Sequence, residues 1–352
     1  MKKANTNLNY VESIETGKKL SILNSQLSII IVILALAFLI ACDDSSKVYT
    51  NISGRAGEIV VIYDMQLWDT LFTKEVKSIM APVYPALPQR EPIFDIISIP
   101  SSSFGLTFRI HRNLVFMQIL PDSIPARIVV KHDVWAMPQT VVHINASTRE
   151  ELLALLQQEQ IRFINIMEQA ERDRHIGNSK KYEAKDLRET VNPLFGGSPY
   201  FPNGYRLRKK TDNFVWIDYE IQKAQLGIFV YKYPYKDSTT FKTENIIARR
   251  NEILKQEVPG VFENTYMTTT TVVPPTSRNV LYNKIHFVET RGLWEVENDF
   301  MGGPFISHSF FSPDGKEIIV LEAYVYNPRS EKRNFLRQVE SVIYSFEWEE
   351  NQ

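Results

Sequence analysis

Across 352 residues, 40 lysines and arginines stand against 41 aspartates and glutamates, a net charge of −1. That balance excludes the basic surplus a nucleic-acid partner demands. With 44% hydrophobic and 12% aromatic residues the chain is too apolar for a disordered stalk, and a single cysteine leaves no internal disulfide.

The chain opens with Lys2, Lys3, Lys18 and Lys19, diluted by Glu12 and Glu15, and then an uncharged apolar run, Leu27 to Ala41. Fifteen residues are too few for a membrane-spanning helix, which needs about 20, and fit the apolar core of a signal peptide. The run ends in Leu39-Ile40-Ala41-Cys42, which reads as a bacterial lipobox: cleavage before Cys42, then acylation, with palmitate among the chains. Two or three acyl chains hold a protein to a membrane where one does so only marginally. Cys42 is therefore the expected lipidation site and the membrane the expected partner. Removing residues 1–41 takes away four lysines and two glutamates and leaves 311 residues at a net charge of −3. Asp43-Asp44 fits either retention at an inner membrane or export outward. Residues 42–57 read as a tether, with Gly54 and Gly57 at its end.

The remainder predicts an α+β fold of two mixed halves, each a largely antiparallel sheet packed with amphipathic helices. The first half, 58–176, begins with the strand Glu58–Tyr63. Met65 to Met80 follows as a helix whose apolar face holds Leu67, Trp68, Leu71, Phe72, Val76 and Ile79. Pro82, Pro85 and Pro88 end it. Strands are predicted at Phe94–Ile99, Leu106–Ile110, Leu114–Leu120, Arg127–Trp135 and Thr140–Asn145. Ser147-Thr148-Arg149-Glu150 then reads as a capping box opening one long helix to about His175.

Residues 177–205 read as the connection: a charged helical stretch from Lys180 to Val191, then a proline- and glycine-rich loop ending in Asn203-Gly204. In the second half, 206–348, Phe214–Ile221 and Leu226–Tyr233 are expected to pair. A helix is expected over Phe241–Lys255 and strands over Tyr266–Val273, Val280–Arg291, Gly292–Val296, Ile306–Phe311 and Glu317–Tyr326. Asp314-Gly315 signals a hairpin turn. Ser330 is the expected cap of a closing helix that buries Phe335, Leu336, Val339, Ile343 and Phe346. The comparable mix of elements is what a distant duplication would leave.

Residues that carry chemistry are sparse. On an extended Trp294–Asp299 segment Glu295, Glu297 and Asp299 would share a face, with neighbouring carboxylates about 7 Å apart, a spacing open to acid/base work. A solvent-facing acidic stripe is the alternative. Gly302 and Gly303 could bring backbone amides to a ligand or simply pack tightly. Tyr200 and Phe201 could form a rim for a glycan or peptide, or fill the space between the halves. His111, His132, His143, His175, His286 and His308 show no metal-ligand spacing, and no motif calls for a cofactor.

Arg291-Gly292-Leu293-Trp294-Glu295-Val296-Glu297-Asn298-Asp299-Phe300-Met301-Gly302-Gly303-Pro304-Phe305 resembles the signature of the domain of unknown function 4837 family of Bacteroidetes lipoproteins. Ala81-Pro82, Leu87 to Asp95 and Phe108 to Asn113 are similar to early segments of that family, and the resemblance runs over roughly residues 50–347. It implies lipoprotein character and favours export toward the outer membrane, but brings no catalytic residues. The sequence thus predicts a cell-envelope lipoprotein, a non-enzymatic binding or assembly component with an envelope protein or glycan partner. The alternative is an envelope hydrolase working through the 295–299 carboxylates on glycan or peptide.

Overall fold

The computed structural model describes residues 49–121, 124–222 and 224–349. Cys42 and the rest of the lipobox lie outside them. Thr50–Gln352 separates as one compact unit, built on two sheets.

The first sheet grows from β1 (Glu58–Tyr63), whose six residues are all buried. A strand covered on both faces reads as a continuous apolar run, the mark of a parallel sheet. Helix α1 (Thr70–Met80) carries the chain back, so that β2 (Asp95–Pro100) pairs with β1 in parallel. β3 (Asn113–Ile119) lies parallel to β1 on its other side, and β5 (Thr140–Ala146) parallel to β3. Only β4 (Arg127–His132), at the edge, runs antiparallel to β5. The strand order is β2-β1-β3-β5-β4. The α+β class holds, but this sheet is not largely antiparallel: the helical crossover after β1 forces parallel pairing.

Several local expectations change. Leu106–Arg109 is a single helical turn after Gly105, not a strand. On α1 the buried face is Phe72, Val76, Ile79 and Met80, while Leu71 is exposed. The long helix breaks at Glu159 into α2 (Arg149–Gln158) and α3 (Gln160–Lys181). Thr148 is the cap of α2, accepting from the Glu151 amide, and the Glu151 carboxylate reaches back to the Ser147 amide at 2.8 Å. The expected box is thus replaced by a Thr148 cap, with Glu151 holding the amide of the residue before it.

Helix α4 (Lys185–Phe195) follows, and Gly196, at φ 71°, ends it in the left-handed region. The second sheet contains β6 (Arg206–Lys210), β7 (Phe214–Ile221) and β8 (Ala224–Pro234), then, after helix α5 (Thr243–Glu257), β9 (Met267–Thr269), β10 (Thr276–Tyr282), β11 (Ile285–Val296), β12 (Gly302–Phe311) and β13 (Glu317–Tyr326). Every pairing here is antiparallel, in the order β9-β11-β12-β13-β8-β7-β6, with β10 also beside β11. The expected Val280–Arg291 strand is interrupted by a turn at Asn283 and Lys284, both with positive φ. The chain does not break at Gly292, where β11 continues. A five-stranded, mostly parallel sheet and an eight-stranded antiparallel one share no topology, so the duplication reading fails.

Helix α6 (Arg333–Tyr344) closes the fold. Its N-terminus is held not by Ser330 but by Glu91, whose carboxylate accepts from the Lys332 and Arg333 amides at 2.8 and 2.9 Å. That borrowed acid meets the positive end of the helix dipole. Along β8, Leu226, Ile228 and Val230 face the main core with α6, while Phe229, Tyr231 and Tyr233 face a second core under α5. Arg250 of α5 penetrates that second core to meet Glu322 of β13, both side chains fully buried, with Nε to Oε2 at 2.9 Å. Removing one partner of such a pair strands the other. Arg250→Ala is expected to lower unfolding free energy by about 3–5 kcal/mol in urea, and Arg250→Met with Glu322→Leu to regain most of it. An Arg250→Ala protein with the wild-type midpoint would show that the pair does not hold α5.

Candidate ligand groove

A groove of 1460 Å³ runs between α3 and the β4–β5 edge of the first sheet. Its origin is the two-faced character of α3. Phe163, Met167 and Glu171 are buried at helical spacing, and the stripe beside them, Arg162, Ile166, Gln169 and Asp173, lines the groove. Val130 and His132, two residues apart on β4, form the opposite wall with Thr140 of β5. Ile161, mostly exposed, stands at one end, and Tyr182 at the other.

Arg174 fixes the rim. Its guanidinium donates to Pro138 O at 3.0 Å, Arg112 O at 2.9 Å, Asn113 Oδ1 at 3.0 Å and Glu171 Oε1 at 2.9 Å. Burial holds its pKa down to about 10. Burial alone would raise the Glu171 carboxyl, but the Arg112 and Arg174 charges outweigh it and keep the carboxyl below its ordinary range. The 133–139 loop is pinned by buried Gln139, which donates to Arg109 O and His111 O at 2.6 and 2.7 Å. The groove is thus preformed, larger than a typical drug-sized pocket, and lined along α3 from Ile161 to Lys181.

A second, more polar cleft of 1200 Å³ brings together Arg188, Asn192, Tyr200, Asn283, Glu347 and Trp348. Tyr200 donates to Glu347 Oε2 at 2.6 Å, and the Arg188 guanidinium lies 3.9 Å from its ring centre. Phe201, next in sequence, is fully buried and forms no rim.

The acidic segment is not the expected face. β11 ends at Val296, and Asn298 at φ 61° turns the chain, so Glu297 and Asp299 do not continue an extended strand with Glu295. Asp299 accepts from the Phe300 amide, and all three carboxylates lie outside the two large clefts. Gly302 and Gly303 lie in β12, paired with Glu295 and Trp294. A Cβ at 303 would collide with the Val325 carbonyl oxygen and come within 3.1 Å of Trp294 Nε1, and one at 302 would stand 2.8 Å from Trp294 O. Close packing accounts for both, since their backbone groups face strands rather than a ligand. Gly303→Ala is therefore expected to cost about 1–3 kcal/mol of stability by overpacking, checked by urea unfolding beside Gly105→Ala, where an added Cβ meets nothing within 4 Å.

A buried ionic seam behind the groove escaped the sequence reading. Glu168 of α3 accepts from Arg337 at 2.5 Å. Glu340 accepts from Arg291 at 2.6 Å and Tyr84 at 3.0 Å, and Glu289 accepts from Tyr344 at 2.6 Å and Arg278 at 2.8 Å. Charges inside apolar runs, such as Glu289 between Val288 and Thr290, were the available signal. Two histidines share this interior. Burial drives His175 down to about 4 and His308 down to about 3. Among the described residues no His, Cys, Asp and Glu group is arranged to hold a metal ion.

Residues 184–345 match the profile of the domain of unknown function DUF4837. Residues 52–180 match a different profile, the domain of unknown function DUF8532. The early segments at 81–95 and 108–113 therefore fall under the second profile, and the DUF4837 match does not extend over them. The Arg291 to Phe305 segment, inside that match, forms the β11–β12 hairpin in which Trp294 packs on Gly303. No curated protein matches the chain. Among solved structures, a Bacteroides thetaiotaomicron protein is similar at 9% identity and TM-score 0.25, over 44% of this chain and 46% of its own. The chain thus spans less than half the length of that protein. The human StarD13 (DLC2) lipid transfer and protein localization domain is similar at 11% identity and TM-score 0.21, over 46% of this chain and 95% of that one. Human STARD10 is similar at 7% and 0.24, over 46% and 80%.

The two buried histidines make stability depend on pH. Each is held neutral in the fold with a pKa of about 4 or about 3, below its ordinary 6.5. The unfolded chain therefore binds more protons below pH 6.5, and stability falls as pH drops from there toward the folded values. The expected slope is about 1.4 kcal/mol per pH unit per histidine, read from urea unfolding between pH 7 and 4.5. His308→Phe should flatten it by one histidine's share, whereas an unchanged slope would show that His308 does not titrate on unfolding.

Proposed function

We propose that this protein is a lipid-anchored cell-envelope component, held by acyl chains on Cys42 on the outer-membrane side. It binds an extended polypeptide in the α3–β4 groove without chemical turnover. The observation that carries the binding role is the groove's strand wall. β4 is an edge strand, and in an antiparallel pair every second residue turns its N–H and C=O away from the partner. A helix facing such an edge across a groove is the geometry in which a bound peptide adds a strand and seats alternate side chains. Six residues of β4 offer about 20 Å of edge. The lipobox sequence supports the anchor, and the resemblance to Bacteroidetes lipoproteins supports the outward location. No positive feature favours the hydrolase reading once the 295–299 carboxylates are separated from the clefts.

Labelling with an acyl precursor should mark the wild type and not Cys42→Ser, and a labelled mutant would sink the anchor. A photo-crosslinking side chain at Ile161, in cells, should yield a discrete polypeptide adduct that the same probe at Asp314 does not give. Ala170→Trp, which fills the groove, should abolish it without shifting the unfolding midpoint. An adduct with glycan or lipid, or none from an anchored protein, would overturn the peptide reading.

A further inference from the structure

Among the described residues no long helix packs on the face of the first sheet turned away from the groove. By register, Ile97, Val60, Leu114, Val141 and Lys131 make one row across the five strands, and Ile99, Ile62, Phe116, His143 and Val129 the next. The helices α1, α2 and α3 pack on the opposite face, with Val61, Val115 and Val142. What packs on the open face is aromatic and local: Phe104, Phe108 and Trp135, with Phe104 5.0 Å from Phe116 and 5.7 Å from Trp135. These rings are only half-buried, and the loops that carry them expose Leu106 at 78% and Met137 at 53%. Exposed Lys131 and Arg127 lie at the sheet's edge of the same face.

The chain itself reaches this surface. Thr50–Asn51 pairs in parallel with Ala136–Met137, so the polypeptide coming from Cys42 joins the folded body beside Trp135 and Met137. Seven residues lie between Cys42 and Thr50, and the eight steps from one to the other make a contour of about 27 Å at full stretch, which is of the order of the bilayer's hydrocarbon thickness. Tryptophan and phenylalanine rings settle at the headgroup boundary, and lysine and arginine beside them attract anionic lipid.

We propose that this open face, from Leu106 through Trp135 to Met137, is a membrane-docking surface that rests on the lipid carrying the Cys42 acyl chains. This rests on the anchor reading above and adds to it a fixed orientation. Docking would use the burial of Leu106 and Met137 in the interface together with the pull of Arg127 and Lys131 on anionic headgroups, in place of a loose tether.

The test uses the full acylated protein in vesicles of phosphatidylethanolamine and phosphatidylglycerol. Cys42 is the only native cysteine and its thiol is blocked by acylation, so Leu106→Cys or Met137→Cys supplies a unique thiol for an environment-sensitive dye. Spin-labelled acyl chains should quench the dye at 106 and 137 several-fold more than at Asp314→Cys in the distant hairpin. Lys131→Glu with Arg127→Glu should reduce that quenching while the protein still floats with the vesicles. Equal quenching at 106, 137 and 314 on floating vesicles overturns the docking face and leaves the anchor standing. A wild-type protein that does not float removes the anchor, and with it both readings.

Discussion

Helix α6 is enclosed on most of its circumference, and nine of its twelve residues are buried. Three of those nine carry charge: Arg333, Arg337 and Glu340. A buried charge is tolerable only when paired and hydrogen-bonded, so the interior must supply a partner at each turn of the helix. It does so from both halves. Asp95 and Pro92 O meet Arg333, Glu168 and Ile93 O meet Arg337, and Tyr84 and Arg291 meet Glu340. Apolar burial is non-directional and would accept α6 at several rotations. The ion pairs would not, and they set its register between the two sheets.

The same requirement positions α3. Glu168 faces Arg337, Glu171 takes Arg112 and Arg174, and Arg172 lies 3.9 Å over the Tyr344 ring. Glu168, Glu171 and Arg172, within less than two turns of α3, are therefore tied inward, which leaves its other stripe no freedom but to face β4. The groove is a by-product of the ionic seam. Residues that never meet a ligand there hold its width.

Much of this was written in the sequence, and the gaps have physical causes. Short runs rich in apolar and aromatic residues announced β7, β8, β12 and β13, and apolar spacing announced α1, α5 and α6. The parallel first sheet was missed, although a near-continuous apolar strand, a helix and another strand are the signal of a β-α-β unit. Leu106–Arg109 misled because four residues are too few to separate period 2 from 3.6. The Asn283-Lys284 turn was hidden because neither residue is glycine, though asparagine is the side chain that best tolerates positive φ. Gly302 and Gly303 invited a ligand reading because sequence shows conformational freedom and not what stands beside it. The groove was invisible for a deeper reason. Its walls lie some thirty residues apart, and nothing local marks Ile166 as facing Val130. Trp294 and Gly303, by contrast, belong to one hairpin and could be read as one motif.

Strand β4 is where the separate threads meet. Its even residues, Val130 and His132, face α3 and the groove, and its odd residues, Arg127, Val129 and Lys131, share the open face with Phe116 and Trp135. The pleat of one six-residue strand thus divides two surfaces of different chemistry. With the open face on lipid, the groove is directed away from the bilayer, and a peptide arriving from the aqueous side meets it unobstructed. An edge strand bearing Lys131 and Arg127 is also guarded against pairing with a second copy of itself, because like charges would face one another across the new ladder. The basic residues that draw the face to anionic lipid therefore also restrict what may add to β4, and the strand that an acidic or neutral peptide could join is one its own copies avoid.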